Sequence, residues 1–347
     1  MIMKRLSTII KKLAAVVLTA GVIATGLTAC QGNNNTTGSN VGSDGVKVVR
    51  IGSSGTDGTA TDAARIAQEL GYFEEELGKV GYKPEYIGFT GAGPAMNEAL
   101  ASGSLDIALY GDLPAITAKS SGIDVKIFAS YSANYPFAVL VGNNSGIKAV
   151  NELKGKKVAV GYGTIPYMYL SKLLAKNGLS IQDIEIVNTS TDGLAMIASG
   201  QVDAVVTADT AVRIYEQKGL GTTLISSNTD EAISGLLIAD ATTKYIQSDR
   251  EAVVAVTKAL NRAYEYAKAN PYDALEEMVT NIYTKDLLAV TYSDIGFSYF
   301  NPQITDSVKS RILAAKEFML NNKLISSDVD VDSLIDNSIY SEAVNIK

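Results

Sequence analysis

Short loops rich in glycine, serine and threonine are the parts of this sequence best suited to binding chemistry. The sequence has no histidine and a single cysteine, Cys30. Histidine-based nucleophile systems and histidine-containing metal sites are therefore excluded, and one cysteine cannot form an internal disulfide or a thiolate cluster. A general base would have to be a carboxylate, a lysine or a tyrosine, and no pair of these stands out. We therefore expect a binding protein that uses no cofactor and no metal, rather than an enzyme.

The candidate ligand-binding residues follow apolar, β-branched runs. Glycine lets a backbone N–H approach a ligand closely, and a helix that begins after such a loop presents free N–H groups. Hydroxyls add donors, tyrosines add flat walls, and an aspartate could hold an amino group. The residues expected at the ligand are Ser53, Ser54, Gly55, Thr56, Gly91, Gly93, Asp112, Ser130, Tyr131, Thr164, Tyr167 and Asp209. This set suits a small polar solute that is an anion or a zwitterion.

Several of these candidates have a structural alternative that the sequence leaves open. The two aspartates and the threonine at position 164 are also good helix N-caps. The alternative role of the two glycines of the 91–93 segment is simply to allow a tight turn. The alternative for the two tyrosines is to be half-buried core residues. The expected position of these residues favours a binding role, because the loops that should face one crevice are the polar, glycine-rich ones.

The elements that must position these loops alternate along the chain from residue 46. Apolar β-branched runs predict strands, and amphipathic stretches between them predict helices. The predicted strands are 46–52, 85–90, 105–111, 125–131, 156–163, 184–189, 202–208 and 233–240, and the later predicted helices are 249–269, 271–280 and 305–322. Such alternation predicts βαβ units with mostly parallel sheets, whose ligands lie beyond the carboxyl ends of the strands.

An internal echo indicates two related lobes. Residues 101–112 read ASGSLDIALYGD and residues 198–209 read ASGQVDAVVTAD, with the same spacing of Ala, Ser, Gly and both Asp. Coincidence among common connections is the alternative. Since a return strand and a helical tail follow, the chain is expected to cross between lobes twice. The expected division is a first lobe of 46–135 plus 236–347 and a second lobe of 136–235, with crossings near 133–140 and 228–236.

Length and charge agree with a two-lobed binding protein. A chain of 347 residues is long for one domain, and 46% hydrophobic residues suffice for large cores. The net charge is -7, and removal of residues 1–29, which hold four basic and no acidic residues, leaves 26 basic against 37 acidic residues. Clustered lysine and arginine is missing, so nucleic acid is not an expected partner.

The N-terminus is typical of an exported chain. A basic stretch to Lys12 precedes an apolar run from Leu13 to about Leu27, which fits a signal peptide over residues 1–29. The run ends in LTAC, which resembles a bacterial lipobox and implies cleavage before a lipidated Cys30; the alternative is an ordinary secretory signal with a chance cysteine. Residues 30–45 then form a flexible polar tether to the extracytoplasmic face of the cell membrane.

Two segments resemble a known family. GAGPAMNEALASGSLDIALYGDLPAITAKSSGIDVKIFAS (91–130) and NELKGKKVAVGYGTIPYMYLSKLLAKNGLSIQDIEIV (151–187) are similar to solute-binding proteins of ABC importers, in the aliphatic sulfonate, taurine and nitrate group. The resemblance implies a periplasmic-binding-protein type II fold, two α/β lobes with mainly parallel sheets joined by two crossover segments. By position, the family's ligand contacts correspond to the candidate residues given above.

The same resemblance implies a partner system. The protein would be a monomer that captures its solute between the lobes and delivers it to an ABC permease and ATPase. A ligand-presenting sensor, or a carboxylate-dependent enzyme on the same fold, is the alternative. The chain departs from its relatives in having Ala208 where an aromatic residue is common, no tryptophan, and no arginine in a predicted cleft loop. An anion would therefore be held by backbone N–H and hydroxyl donors alone.

Overall fold

The structure is a computed structural model that describes residues 45–189, 192–228, 233–280, 283–292 and 296–345. The predicted signal peptide, Cys30 and nearly all of the tether lie outside the described residues. In the part of the chain that the structure describes, ten strands form two five-stranded sheets. They are β1 (Lys47–Ser54), β2 (Tyr82–Phe89), β3 (Ile107–Gly111), β4 (Val125–Tyr135), β5 (Phe137–Val141), β6 (Lys157–Val160), β7 (Glu185–Asn188), β8 (Ala204–Ala208), β9 (Thr222–Ser226) and β10 (Gly235–Thr242).

Fourteen α-helices cover these sheets within the described residues, and short 3-10 turns connect some of them. They are α1 (Asp62–Glu69), α2 (Tyr72–Gly78), α3 (Ala92–Ser102), α4 (Asp112–Ser120), α5 (Ile165–Lys176), α6 (Gly193–Ala198), α7 (Asp209–Gln217), α8 (Thr243–Ser248), α9 (Arg250–Ala269), α10 (Pro271–Glu277), α11 (Lys285–Tyr292), α12 (Asp306–Asn321), α13 (Val331–Leu334) and α14 (Ser338–Asn345).

The first sheet has the strand order β2-β1-β3-β10-β4. β1 is parallel to β2 and β3, whereas β10 runs antiparallel to β3 and β4. The chain therefore leaves this sheet after β4 and comes back through β10, which lies inside the sheet. We call this sheet, with the helices packed on it, the first lobe.

The second sheet has the order β7-β6-β8-β5-β9, and β5 is antiparallel to both of its neighbours. We call it, with its helices, the second lobe. Only Pro136 separates β4 of the first sheet from β5 of the second. The sequence patterns did not predict β5 and β9, because these five-residue strands lie beside the crossovers and lack the loop-strand-helix pattern of the others.

The helical tail belongs to the core of the first lobe. The spacing of Val253, Val256, Leu260 and Tyr264 predicts one buried face of α9; the first three are fully buried, whereas Tyr264 is half-buried. α9 packs on α1, α2 and α14. Its burial therefore ties the end of the chain to the beginning of the described part.

The two parts of the internal echo occupy equivalent places. Gly103 is the C-cap of α3 and Gly200 follows the C-cap of α6, and both are left-handed, with φ of 73° and 72°. The strands β3 and β8 follow, and each is succeeded at once by a helix that begins with an aspartate, Asp112 or Asp209.

None of the helices in the described residues is both long enough and apolar enough to cross a bilayer.

Candidate functional site

Two neighbouring cavities lie where the lobes meet. The first encloses about 370 Å³. Its walls come mainly from the first lobe, at the ends of β1 and β3, the start of α3 and the tyrosines of β4, and from residues 162–166 of the second lobe. Because the parallel strands of both sheets end here, the position agrees with the rule that ligands bind beyond the carboxyl ends of strands.

Two helices begin at the wall of the first cavity without a side-chain cap. α3 begins at Ala92 after Gly91, which has no side chain, and α5 begins at Ile165 after Thr164, whose side chain accepts no hydrogen bond from the helix within the described residues. The Thr164 hydroxyl instead donates to the Gly161 carbonyl at 2.6 Å. First-turn N–H groups and the positive ends of two helix dipoles therefore remain available to an anionic group.

Two glycines allow the close packing that shapes this cavity. A Cβ on Gly93 would lie 2.4 Å from Pro114 Cγ, so α3 can approach α4 only without a side chain there. A Cβ on Gly111 would lie 2.3 Å from Ile165 Cδ1, which belongs to the other lobe. The contact at Gly111 is thus a place where the two lobes touch beside the cavity.

Aromatic rings and hydroxyls complete the first cavity. Tyr110, Tyr131, Tyr135 and Tyr162 line it, and Tyr162 is 53% exposed at its mouth. None of the described residues that line it carries a charged side chain. No cluster of three or more acidic or cysteine side chains that could bind a metal occurs in the described part of the chain. An anion in this cavity would therefore be held by N–H and O–H donors.

The second cavity encloses about 340 Å³ and shares Ser54, residues 59–61 and Tyr135 with the first. Its remaining walls come from residues 55–57, from the start of α1, from Thr210 of the second lobe, and from Met278, Thr280, Tyr283, Leu288 and Tyr292. Unlike the first cavity, it has charged lining residues, namely Asp57, Asp62 and Arg65.

The predicted site residues divide between the cavities and their surroundings. Six line the first cavity, and three, one of them shared, line the second. The first group is Ser53, Ser54, Gly91, Gly93, Tyr131 and Thr164, and the second is Ser54, Gly55 and Thr56. The structure brings these residues together at the meeting of the lobes. Asp112, Ser130, Tyr167 and Asp209 line neither cavity.

The two aspartates are buried outside both cavities, and Asp209 Oδ2 accepts from the Thr291 hydroxyl of α11 at 3.1 Å. Asp112 is the first residue of α4 rather than its N-cap, and its Oδ1 accepts from the Leu113 N–H at 3.0 Å. Burial raises the pKa of Asp112 to about 6. Asp209 begins α7 after the N-cap Ala208, is fully buried, and is bonded to Arg213 at 2.5 Å. Their predicted capping role is therefore wrong as stated, because the N-cap position falls one residue earlier.

Ser130 and Tyr167 also have internal roles. The Ser130 hydroxyl donates to the Asn301 carbonyl at 2.8 Å. Tyr167 is buried and packs on Tyr162, with ring centroids 5.2 Å apart, so it supports the tyrosine that does line the cavity. Thr164 lies beside the ligand space, but its hydroxyl hydrogen is used within its own loop.

Sequence reasoning missed Asp62 and Arg65. Both lie in α1, whereas the sequence analysis considered loops. A sequence signal for Asp62 does exist. Asp62 comes immediately before the apolar face formed by Ala63, Ile66 and Ala67, and a helix that buries this face also buries its first residue.

Comparison with known proteins decides the family. Residues 63–274, more than half of the chain, match the model of the family described as NMT1/THI5 like. The chain belongs to this family. A protein of Bacillus subtilis (strain 168), named as an aliphatic sulfonates-binding protein, is 28% identical over 282 residues, which cover 80% of this chain and 84% of that protein.

Solved structures agree with this assignment. The periplasmic sulfonate-binding protein SsuA of Methylobacillus flagellatus KT superposes with a TM-score of 0.73 at 26% identity, over 86% of this chain and 94% of that one. The periplasmic-binding-protein type II fold is thus confirmed, as is the resemblance to the sulfonate-binding group. The desulfurization enzyme DSZB, at 13% identity and a TM-score of 0.66, over 86% of this chain and 99% of that one, shares the fold alone.

Proposed function

We propose that this member of the NMT1/THI5-like family is the solute-binding component of an ABC importer for small organic sulfonates or similar oxyanions. The first cavity carries the proposal. It lies between two lobes, has no charged lining residue in the described chain, and is reached by the uncapped N-termini of α3 and α5. Fixed N–H donors hold an oxyanion without a counter-charge, so a weakly basic sulfonate suits them.

Binding would favour a closed arrangement of the lobes. A ligand shifts a conformational equilibrium only if it binds one state better, so it must touch both lobes. The first lobe offers the 91–94 turn and the second offers residues 162–166. We assign 46–135 plus 236–347 to the first lobe and 136–235 to the second, a division that the strand membership of β4, β5 and β10 supports. A permease would then recognise the closed form.

The ligand class is tested by thermal unfolding of the full-length protein with methanesulfonate, propane-1-sulfonate, 2-aminoethanesulfonate, nitrate, sulfate and a neutral alcohol of matched size. Ligands that bind only the native state raise its stability, by about 2.7 kcal/mol at a hundredfold excess over the dissociation constant. We expect the sulfonates to raise the melting temperature and the alcohol to leave it unchanged. A response to the alcohol equal to that of the sulfonates would contradict the proposal.

Membrane attachment is a second part of the proposal. The only cysteine follows the LTA segment, which supports cleavage before Cys30 and lipidation of its sulfur. Cys30→Ser should leave an uncleaved precursor or release the protein from the membrane fraction. Ser39→Ala, in the polar tether, is the control and should be processed like the wild type. If Cys30→Ser is processed and held at the membrane as before, the protein is not a lipoprotein.

A further inference from the structure

Asp62 is a buried carboxylate at the wall of the second cavity. Its side chain lines that cavity, the residue is 1% exposed, and the Tyr292 hydroxyl donates to Oδ1. Oδ2 has no hydrogen-bond partner of acceptable geometry among the described residues. The Ser132 hydroxyl lies close enough to lower the pKa of Asp62, but its geometry to the carboxylate is poor and it too lacks a partner there. A buried carboxylate oxygen without a donor is costly, and such atoms are rare in native proteins. The missing donor is what a ligand could supply.

The nearby Arg65 does not supply the donor that Asp62 Oδ2 lacks. Arg65 lines the same cavity one turn further along α1, but its guanidinium forms an ion pair with Glu69 at 2.6 Å and donates to the Val279 carbonyl at 3.4 Å. No ion pair joins Arg65 to Asp62 in the described chain. The cavity therefore holds two carboxylates, those of Asp57 and Asp62, beside one arginine that is already neutralised.

Tyrosine rings form the rest of the wall around this carboxylate. Tyr135, Tyr283 and Tyr292 line the cavity with Asp62. The electron-rich faces of aromatic rings attract cations, most strongly where water is excluded.

Asp62 also has a φ of 53°, which a residue other than glycine seldom adopts. Backbone strain of this kind persists where the surrounding structure enforces it, often at functional sites.

We propose that the second cavity binds a protonated amine, with Asp62 as its counter-charge and Tyr135, Tyr283 and Tyr292 as its walls. In this arrangement an ammonium N–H donates to Asp62 Oδ2 and satisfies it. Because Ser54, residues 59–61 and Tyr135 line both cavities, one solute can place an anionic group in the first and its amine in the second. This step rests on the proposed function and narrows its ligands to amine-bearing oxyanions.

The protonation states fit such a pair. Burial raises the pKa of Asp62 to about 6, and the hydroxyls of Ser132 and Tyr292 work against this rise. Asp62 is therefore largely ionised at neutral pH. An amine that binds beside it lowers this raised pKa and so favours the ionised form. An alkyl ammonium stays protonated under the same conditions, so both partners keep their charges.

The test compares two sulfonates that differ only in the amine. Calorimetry on the full-length protein would measure the affinity for 3-aminopropane-1-sulfonate, propane-1-sulfonate, and propylammonium alone. We expect the aminosulfonate to bind about tenfold more tightly than the alkylsulfonate, as for a hydrogen bond between charged groups. Asp62→Asn should reduce this preference to less than about twofold while leaving the affinity for propane-1-sulfonate within about twofold of the wild type.

Two further variants keep the test decisive. Asp112→Asn removes another buried carboxylate, one that lines neither cavity, and should keep the full preference. Tyr283→Leu changes a wall residue that is only partly buried, and it should weaken the aminosulfonate about threefold and the alkylsulfonate hardly at all. If Asp62→Asn does not fold, this variant alone decides. A loss that is equal for both sulfonates in either cavity variant would overturn the proposal.

The wild-type measurements separate the two proposals. Equal affinity for the two sulfonates overturns the amine site and leaves the sulfonate function intact. Binding of propylammonium that depends on Asp62, without binding of either sulfonate, supports the amine site and overturns the sulfonate function. If none of the three compounds binds, both proposals are wrong.

Discussion

The two lobes place an aspartate at the same point before an inner parallel strand, but they use it differently. Asp106 Oδ2 accepts from the Arg50 N–H at 2.8 Å, and Asp203 Oδ2 accepts from the Lys157 N–H at 2.9 Å. In both cases the carboxylate joins the start of one strand to the neighbouring strand. Only Asp106 also binds a guanidinium, that of Arg50, at 2.6 and 2.9 Å.

This difference indicates that the residues of the internal echo serve the fold rather than ligand binding. The repeated Ser-Gly and Asp residues end a helix and fix the next strand in both lobes. The ligand-facing parts did not keep the symmetry. The first lobe supplies most of the wall of the first cavity, and the second lobe supplies only the segment 162–166.

The largest expected effect concerns the paired aspartates. Asp106→Ala removes a bidentate partner of Arg50, whose side chain is 16% exposed, and should lower the free energy of unfolding by about 3 kcal/mol. Asp203→Ala removes a hydrogen bond at an exposed strand start and should lower it by about 1 kcal/mol. Urea titrations of both variants check this. Equal losses would mean that the guanidinium pair contributes nothing to the difference between the lobes.

A buried carboxylate should make the first lobe sensitive to pH. The single Tyr110 hydroxyl hydrogen cannot serve both Asn97 Oδ1, at 3.0 Å, and Asp240 Oδ2, at 2.7 Å. The Asn97 amide is oriented by its bond to the Pro114 carbonyl. A protonated Asp240 supplies the second hydrogen, in agreement with burial, which raises the pKa of Asp240 to about 8.

The sign of the pH effect follows from proton binding. Between the unfolded pKa near 4 and the folded value, the native state holds one proton more than the unfolded state, so the free energy of unfolding falls as pH rises. From pH 6 to 8 Asp240 alone contributes a fall of at most about 1.4 kcal/mol per pH unit, so we expect a flatter profile in Asp240→Asn. Asp203→Asn, in the second lobe, should keep the wild-type slope. Unfolding titrations over this pH range check it.

The contact between the lobes should respond to one added methyl group. Gly111→Ala would place a Cβ 2.3 Å from Ile165 Cδ1, so either the Ile165 side chain must change rotamer or the lobes must separate slightly. We expect an affinity loss of about fivefold, near 1 kcal/mol, and partial recovery when Ile165→Ala is added. Calorimetry with the best ligand of the thermal screen measures both. An unchanged affinity in Gly111→Ala would show that this contact does not limit closure.

The smallest effects are expected from two hydroxyls, one in each lobe. Ser53 donates to the Thr59 carbonyl at 3.2 Å, and Thr164 donates to the Gly161 carbonyl at 2.6 Å. Because both hydrogens are used within their own loops, Ser53→Ala and Thr164→Ala should each weaken binding by less than about threefold. A tenfold loss in either variant would indicate that the hydroxyl turns to the ligand on binding.

The sequence predicted the strand-end loops well and the direction of individual side chains poorly. Ser53, Gly91 and Thr164 line the first cavity because a residue at the carboxyl end of a strand must lie at that edge of the sheet. Asp112 and Asp209 occupy the same edge but point inward. That direction depends on the backbone angles at the junction of strand and helix and on the side chains packed behind it, neither of which a residue pattern contains.

The position of β10 inside the first sheet also sets an order of assembly. β10 lies between β3 and β4, and it is made after every strand of the second sheet. When the chain emerges N-terminus first, the sheet of the second lobe can form once Ser226 is available, but the first sheet lacks an inner strand until Thr242 follows. Burial of α1 and α2 must wait longer, for α9. The first part of the folded body to emerge is therefore the last to reach its native packing, and the first lobe has no complete core until most of the chain is present.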